Sequence, residues 1–205
     1  MIRKLALIIS FALHPLVVPS LIFVFLLLSA PQATSMGTWE KGYVLLMIFL
    51  TTFTIPVLSI FTLKLTKNIS SIEMKNKEER LLPFSMVSLY FVMSTYFFHT
   101  KFNLEPLLIQ TLVSITICLV LLTSITFFWK ISAHMVAISG LLAIIVAVVI
   151  QFPGNDLLFL LLGGILVTGG LASSRLYLNA HTPMEILGGI LLGFGVCFFS
   201  FRYFI

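Results

Sequence analysis

Apolar runs of about twenty residues recur along almost the whole 205-residue chain, separated by short polar junctions and by no polar block of domain size. Each run has the length that a helix needs to cross the hydrocarbon of a bilayer, roughly 17 to 25 residues. Backbone N–H and C=O groups find no water there, so helices that bond their own backbone are the structures such runs can form. The fold expected is therefore all-α, a polytopic integral membrane helix bundle of six to seven transmembrane helices, with residues 1–205 forming a single membrane domain. Composition points the same way: 60% hydrophobic and 9% charged residues stand far from the ordinary globular mix of about half apolar and a quarter charged.

The runs lie at about residues 5–28, 42–63, 83–98, 106–128, 134–150, 156–172 and 183–203. Between them Pro31-Gln32, Met36-Gly37-Thr38, Asn103 to Pro106 and Phe152-Pro153-Gly154-Asn155 disfavour helix continuation. Most connections are short, so sequential helices are expected to pack antiparallel. The first run follows Arg3 and Lys4 as a signal peptide would, but it is too long for a typical signal core and no small-residue cleavage site follows. His14-Pro15 and Pro19 interrupt it, so it either kinks or re-enters. Gly189 and Gly193 form a small-xxx-small pair of the kind that lets membrane helices approach closely. Cys118 and Cys197 lie deep in apolar runs with no metal-ligand spacing and read as packing residues.

Counting spans places the junctions 64–82, 130–133 and 173–182 on one face. Nine of the twelve Lys and Arg map to that face (Arg3, Lys4, Lys64, Lys67, Lys75, Lys77, Arg80, Lys130, Arg175) and three to the other. No basic stretch is interleaved with aromatics in a solvated domain, so nucleic acid is not an expected partner. The clustering fits either a topology signal or an anion. Taken as one pocket, the three junctions supply Lys75, Lys77, Arg80, Lys130, Ser132, His134, Ser174, Arg175, His181 and Glu185. Arginine presents planar, multiply donating recognition of phosphate oxygens, and Ser132 stands where the fifth run begins, beside unpaired helix N–H groups. Two histidines supply what phosphoryl transfer needs, one to attack phosphorus and one to protonate the departing oxygen.

Ser174-Arg175, five residues and His181, preceded by Ser132-x-His134 and earlier by a basic stretch ending at Arg80, resembles the motifs of the type 2 phosphatidic acid phosphatase superfamily, the lipid phosphate phosphatases. The similarity spans about residues 75–200, and Gly188 and Gly189 follow the third motif as they do in that family. The resemblance implies a metal-independent lipid phosphatase, needing no cofactor, that hydrolyses a phosphomonoester or pyrophosphate of a lipid phosphate in the membrane. It implies His181 as the nucleophile that forms a phosphohistidine, Glu185 as its orienting carboxylate and His134 as general acid. Arg80, Lys77, Ser132, Arg175 and Ser174 would bind the phosphoryl oxygens. The sequence departs from the family pattern at Glu73, where Lys is usual, at Leu81 after Arg80, at Ile131 and Ala133, and at Glu185, where Asp is usual. These departures motivate an alternative: a catalytically impaired lipid-phosphate binder or carrier of the same fold. A phosphotransferase that hands the group to a lipid acceptor is a close variant.

Several residues carry a second reading. Thr182-Pro183-Met184-Glu185 has the pattern of a helix N-cap, a first-turn proline and a capping-box glutamate, compatible with orienting His181 only if the carboxylate divides its two oxygens. His14 and His99 lack partners at a telling spacing and read as kink, interface or packing residues. Trp39, Trp129, Tyr43 and Tyr203 read as interfacial anchors. The charge count puts the pocket face in the cytoplasm, whereas the resemblance, which implies a bacterial inner membrane, favours the outer face. Without the five pocket cations the count is four against three, and orientation stays open.

Overall fold

A computed structural model describes residues 2–29, 34–70, 77–102, 104–152 and 155–204. Among these there are helices and turns but no strand. The helices are α1 (Ile2–Ala12), α2 (Val18–Val24, extended by a π-helical turn Phe25–Ser29), α3 (Thr38–Phe49), α4 (Ile55–Leu65), α5 (Lys77–Lys101), α6 (Pro106–Thr126), α7 (Ala133–Gln151), α8 (Asn155–Tyr177) and α9 (Pro183–Phe204). A π-helical turn, Leu50–Thr54, joins α3 to α4 without a break, so the two form one apolar rod of 28 residues, Thr38–Leu65. With this rod, six helices are long and apolar enough to cross a membrane, and the chain is an integral membrane helix bundle. The outward side chains agree, since Phe11, Trp39, Phe128, Leu166 and Tyr203 are each more than three-quarters exposed, a distribution suited to lipid and interface.

The first apolar run is the main departure from the sequence expectation. It divides at His14-Pro15 into α1 and α2, each too short to cross the hydrocarbon. Proline brings no N–H to a helix, and here residues 13–17 form a turn, with the Val17 N–H donating to the His14 carbonyl at 2.8 Å. α1 packs on α8, whereas α2 packs on α3 and α7. Pro83, by contrast, lies inside α5, and helix covers both Arg80 and Arg175, residues the sequence placed in polar junctions.

The tightest pair is α7 with α9, and glycine is the reason. A side-chain carbon added to Gly193 would collide with the Val136 carbonyl oxygen and the Ser139 hydroxyl, and one added to Gly189 would stand 2.8 Å from the Ser132 carbonyl oxygen. At these two positions the backbones touch, as the small-xxx-small spacing suggested. Elsewhere hydroxyls bridge the helices: Ser88 and Thr123 (2.8 Å) and Thr95 and Thr116 (2.8 Å) join α5 to α6, and Ser114 meets Ser200 of α9 at 2.8 Å. At one end of the bundle the Ser35 N–H and hydroxyl donate to Glu105. The junctions that carry Arg80, Lys130 and His181 gather at the opposite end.

Candidate active site

The turn that delivers His181 begins as the end of α8. The Ala180 N–H donates to the Arg175 carbonyl at 3.1 Å and the Asn179 N–H to the Leu176 carbonyl at 2.9 Å, with Asn179 in the left-handed region at φ 50°. This is a Schellman ending, which satisfies the last carbonyls of a helix and reverses the chain. The five residues between Arg175 and His181 are thus the span of one helix ending: Arg175 sits in the last turn of α8 and His181 returns beside it. Thr182 then caps α9, its hydroxyl accepting the Glu185 N–H at 3.3 Å.

Glu185 makes both of the contacts expected of it, to the cap and to the imidazole, and with a single oxygen. Its Oε2 accepts the His181 Nδ1–H at 2.8 Å and the Thr182 N–H at 3.2 Å, so the carboxylate does not divide its oxygens. The bond fixes the neutral His181 tautomer, with the hydrogen on Nδ1 and the lone pair on Nε2. Burial pushes the His181 pKa below the usual histidine value; the Glu185 hydrogen bond opposes this, while the charges of Arg80 and Arg175 add to it. The imidazole is accordingly neutral at pH 7, the state in which it can act as a nucleophile.

The second junction docks directly on the third. The Ser132 N–H donates to the Glu185 backbone carbonyl at 3.1 Å, an approach that Gly189 permits. His134, in the first turn of α7, has its Nε2 3.1 Å from the Ser10 carbonyl of α1. A carbonyl only accepts, so Nε2 carries a hydrogen.

Arg80, His134, Arg175 and His181 all line one cavity of about 560 Å³. The cavity also takes in His14, and its remaining walls are chiefly apolar: Phe53, Val57 and Phe61 from the α3–α4 rod, Phe84 and Phe91 from α5, Leu119 and Leu122 from α6. Among the described residues no carboxylate lines it, and the two guanidinium groups are near enough to repel each other. Phe11 and Phe61 line it and are also exposed on the outside of the bundle, Phe61 by half. Lys130 lies just outside; burial first, and then Arg80, lower its pKa, with Glu185 opposing.

Other expected phosphate ligands stand differently. The Ser174 hydroxyl donates back to the Gly170 carbonyl at 2.8 Å within α8. Ser132 is fully buried, its Oγ has no hydrogen-bond partner among the described residues, and it does not line the cavity. Lys77 is described by its backbone alone, and Glu73 and Lys75 lie outside the described residues. Cys118 and Cys197, remote in sequence, bring their sulfurs to 3.8 Å in the cavity wall. No group of three or more His, Cys, Asp or Glu among the described residues is arranged to hold a metal ion. The residue that sequence reasoning set aside is His14; the one available signal was an ionisable side chain beside a helix break in an otherwise apolar run.

The fold and site together define a polytopic helical membrane protein with a cavity cationic at one end and apolar along the rest. In comparisons with protein-family models, curated proteins and solved structures, nothing matches this chain.

Proposed function

We propose that this protein is a membrane lipid-phosphate phosphatase working through a phosphohistidine on His181. The observation that carries the reading is the cavity: two arginines and two motif histidines converge at one end, with the His181 tautomer set by Glu185, and the apolar remainder suits a lipid chain. The resemblance to the type 2 phosphatidic acid phosphatase superfamily gives the same chemistry. Arg80 and Arg175 bind the phosphoryl oxygens and offset charge that develops in the transition state. The lone pair on His181 Nε2 forms a bond to phosphorus as the bond to the leaving oxygen breaks, and that bond's electron pair stays with the leaving oxygen. Glu185 stabilises the positive charge that the imidazole acquires.

His134 protonates the leaving oxygen, and its contact with Ser10 favours Nδ1 as the donor in this reading. Because the Nε2 hydrogen is committed to Ser10, the proton delivered is the one on Nδ1 of the doubly protonated ring, a state the bound phosphoryl anion stabilises. The now-neutral His134 Nδ1 then takes a proton from the water that attacks the phosphohistidine, which releases phosphate and restores both rings.

The test is phosphate release from a panel of lipid monophosphates and pyrophosphates by purified protein, with chelator present, alongside His181→Ala and acid-labile phosphoenzyme trapping. Release by the wild type, a loss of at least about 10²-fold in the variant, and label on His181 are expected. Equal release by His181→Ala removes the nucleophile from the proposal. Binding across the panel without turnover favours a non-catalytic lipid-phosphate carrier.

A further inference from the structure

We propose that His14, outside the three motifs, is a phosphoryl-binding residue of this site: a neutral imidazole that donates its Nε2–H to the bound anion. The inference rests on the phosphate reading of the cavity but not on its catalysing hydrolysis.

The first apolar run breaks beside His14. Pro15 stops α1, and the turn leaves the Leu16 N–H without a helical acceptor; it donates instead to His14 Nδ1 at 3.3 Å. A backbone N–H can only donate, so Nδ1 carries the lone pair and the ring hydrogen sits on Nε2. That is the complement of the His181 tautomer. Among the described residues this is the ring's only hydrogen bond; the ring also meets His134 edge to face, centroids 5.8 Å apart, and both line the cavity.

The Nε2–H is thus left to whatever occupies the cavity that His14 lines. The cavity holds Arg80, Arg175, His134 and His181 and, among the described residues, no carboxylate; the acceptor that fits this lining is an oxyanion within reach of the arginines as well. Burial first, and then the Arg175 charge, hold the His14 pKa below the usual histidine value. A neutral donor there binds an oxyanion without adding a third positive charge to two that already repel each other. It also brings the N-terminal segment into the site: α1 supplies the Ser10 carbonyl that holds His134, and the turn after it supplies the donor.

The experiment uses the full chain in detergent with inorganic phosphate as the probe, followed by calorimetry, for wild type, His14→Phe, His14→Gln and Arg175→Ala. Wild type binds phosphate and Arg175→Ala does not. His14→Phe, which keeps a ring but no donor, weakens binding about tenfold or more, the effect of losing one hydrogen bond to a charged acceptor. His14→Gln, with both an acceptor and a donor, stays within about threefold of wild type on the same grounds. Because His14→Phe also strands the Leu16 N–H, the wild type is read independently with ¹⁵N-labelled histidine, where phosphate must shift the His14 Nε2 resonance. Unchanged affinity in His14→Phe, or a Nε2 signal indifferent to phosphate, overturns the assignment and leaves the arginine site standing. Failure of the wild type to bind phosphate overturns both. Binding that depends on His14 in a protein that hydrolyses no lipid phosphate removes the phosphatase reading alone.

Discussion

Replacing Gly193 with alanine tests whether backbone contact between α7 and α9 assembles the site. The added carbon would stand 2.8 Å from the Val136 carbonyl carbon, where ordinary contact begins at 3.4 Å, so the helices must part by about 0.6 Å or more. The Val136 carbonyl oxygen stands nearer still, and because the obstruction is helix backbone no rotamer change relieves it. Overpacking of this kind costs about 1–3 kcal/mol, and the rigid obstruction puts Gly193→Ala at the upper end, about 3 kcal/mol, or roughly 100-fold in the folding equilibrium. Unfolding in mixed detergent–SDS micelles, followed by circular dichroism, measures it directly. Gly169→Ala is the control, since nothing lies within 4 Å of the added carbon there; it should stay within about 0.5 kcal/mol of wild type. The same separation loosens the Ser132 N–H bond to the Glu185 carbonyl, so phosphate affinity should fall in Gly193→Ala and not in Gly169→Ala. Wild-type stability in Gly193→Ala, or an equal loss in both variants, would refute the reasoning.

Glu185→Ala should cost about 1 kcal/mol through the lost cap and lower phosphate release by about 10²-fold or more through the misoriented imidazole; Glu185→Gln should recover the stability but not the rate, because its amide oxygen still accepts the Thr182 N–H yet carries no charge. Thermal unfolding and turnover of the two variants separate the roles, and a stable, fully active Glu185→Ala would dismiss both. Since the folded-state pKa of His181 is lowered, the unfolded chain takes up a proton as pH falls through about 6.5 while the folded protein does not. Stability should therefore drop between pH 7 and 5, less so in His181→Asn, and the acid limb of kcat/KM should lie below 6.5; a limb at 6.5 or above contradicts the neutral nucleophile. Asn179→Gly should be tolerated, whereas Asn179→Val, strained at φ 50°, should lose about 1–2 kcal/mol and weaken phosphate binding by moving His181 relative to Arg175. Equal melting temperatures for the two would argue against the Schellman ending as the device that sets this spacing.

Much of the fold was legible because lipid imposes a length and a composition on every span. The run at 106–128 became α6 almost unchanged, and Gly189 and Gly193 packed where their spacing suggested. Periodicity could not show that helix continues through Ser174 to Tyr177, because polar residues at the end of an apolar run look like a loop whether or not the backbone has stopped winding. Nor could it divide the first run: a proline after a histidine is compatible with a kink or a break, and which forms depends on whether neighbours such as α8 and α7 accept the two halves separately.

The site shows the same division. Sequence alone determined that the chain spans a membrane, and the motif spacings nominated Arg80, His134, Arg175 and His181. It also marked Glu185 as a cap or an orienting group, since both rest on contacts within four residues. Tertiary structure decided what depends on distance through space: that these four side chains face one cavity, that the Ser10 carbonyl settles which His134 nitrogen holds a hydrogen, and that Ser174 turns back to its own helix. It also brought in His14, more than a hundred residues from its ring partner His134, because which side chains share a cavity is set by where distant segments pack, and no local pattern encodes that packing.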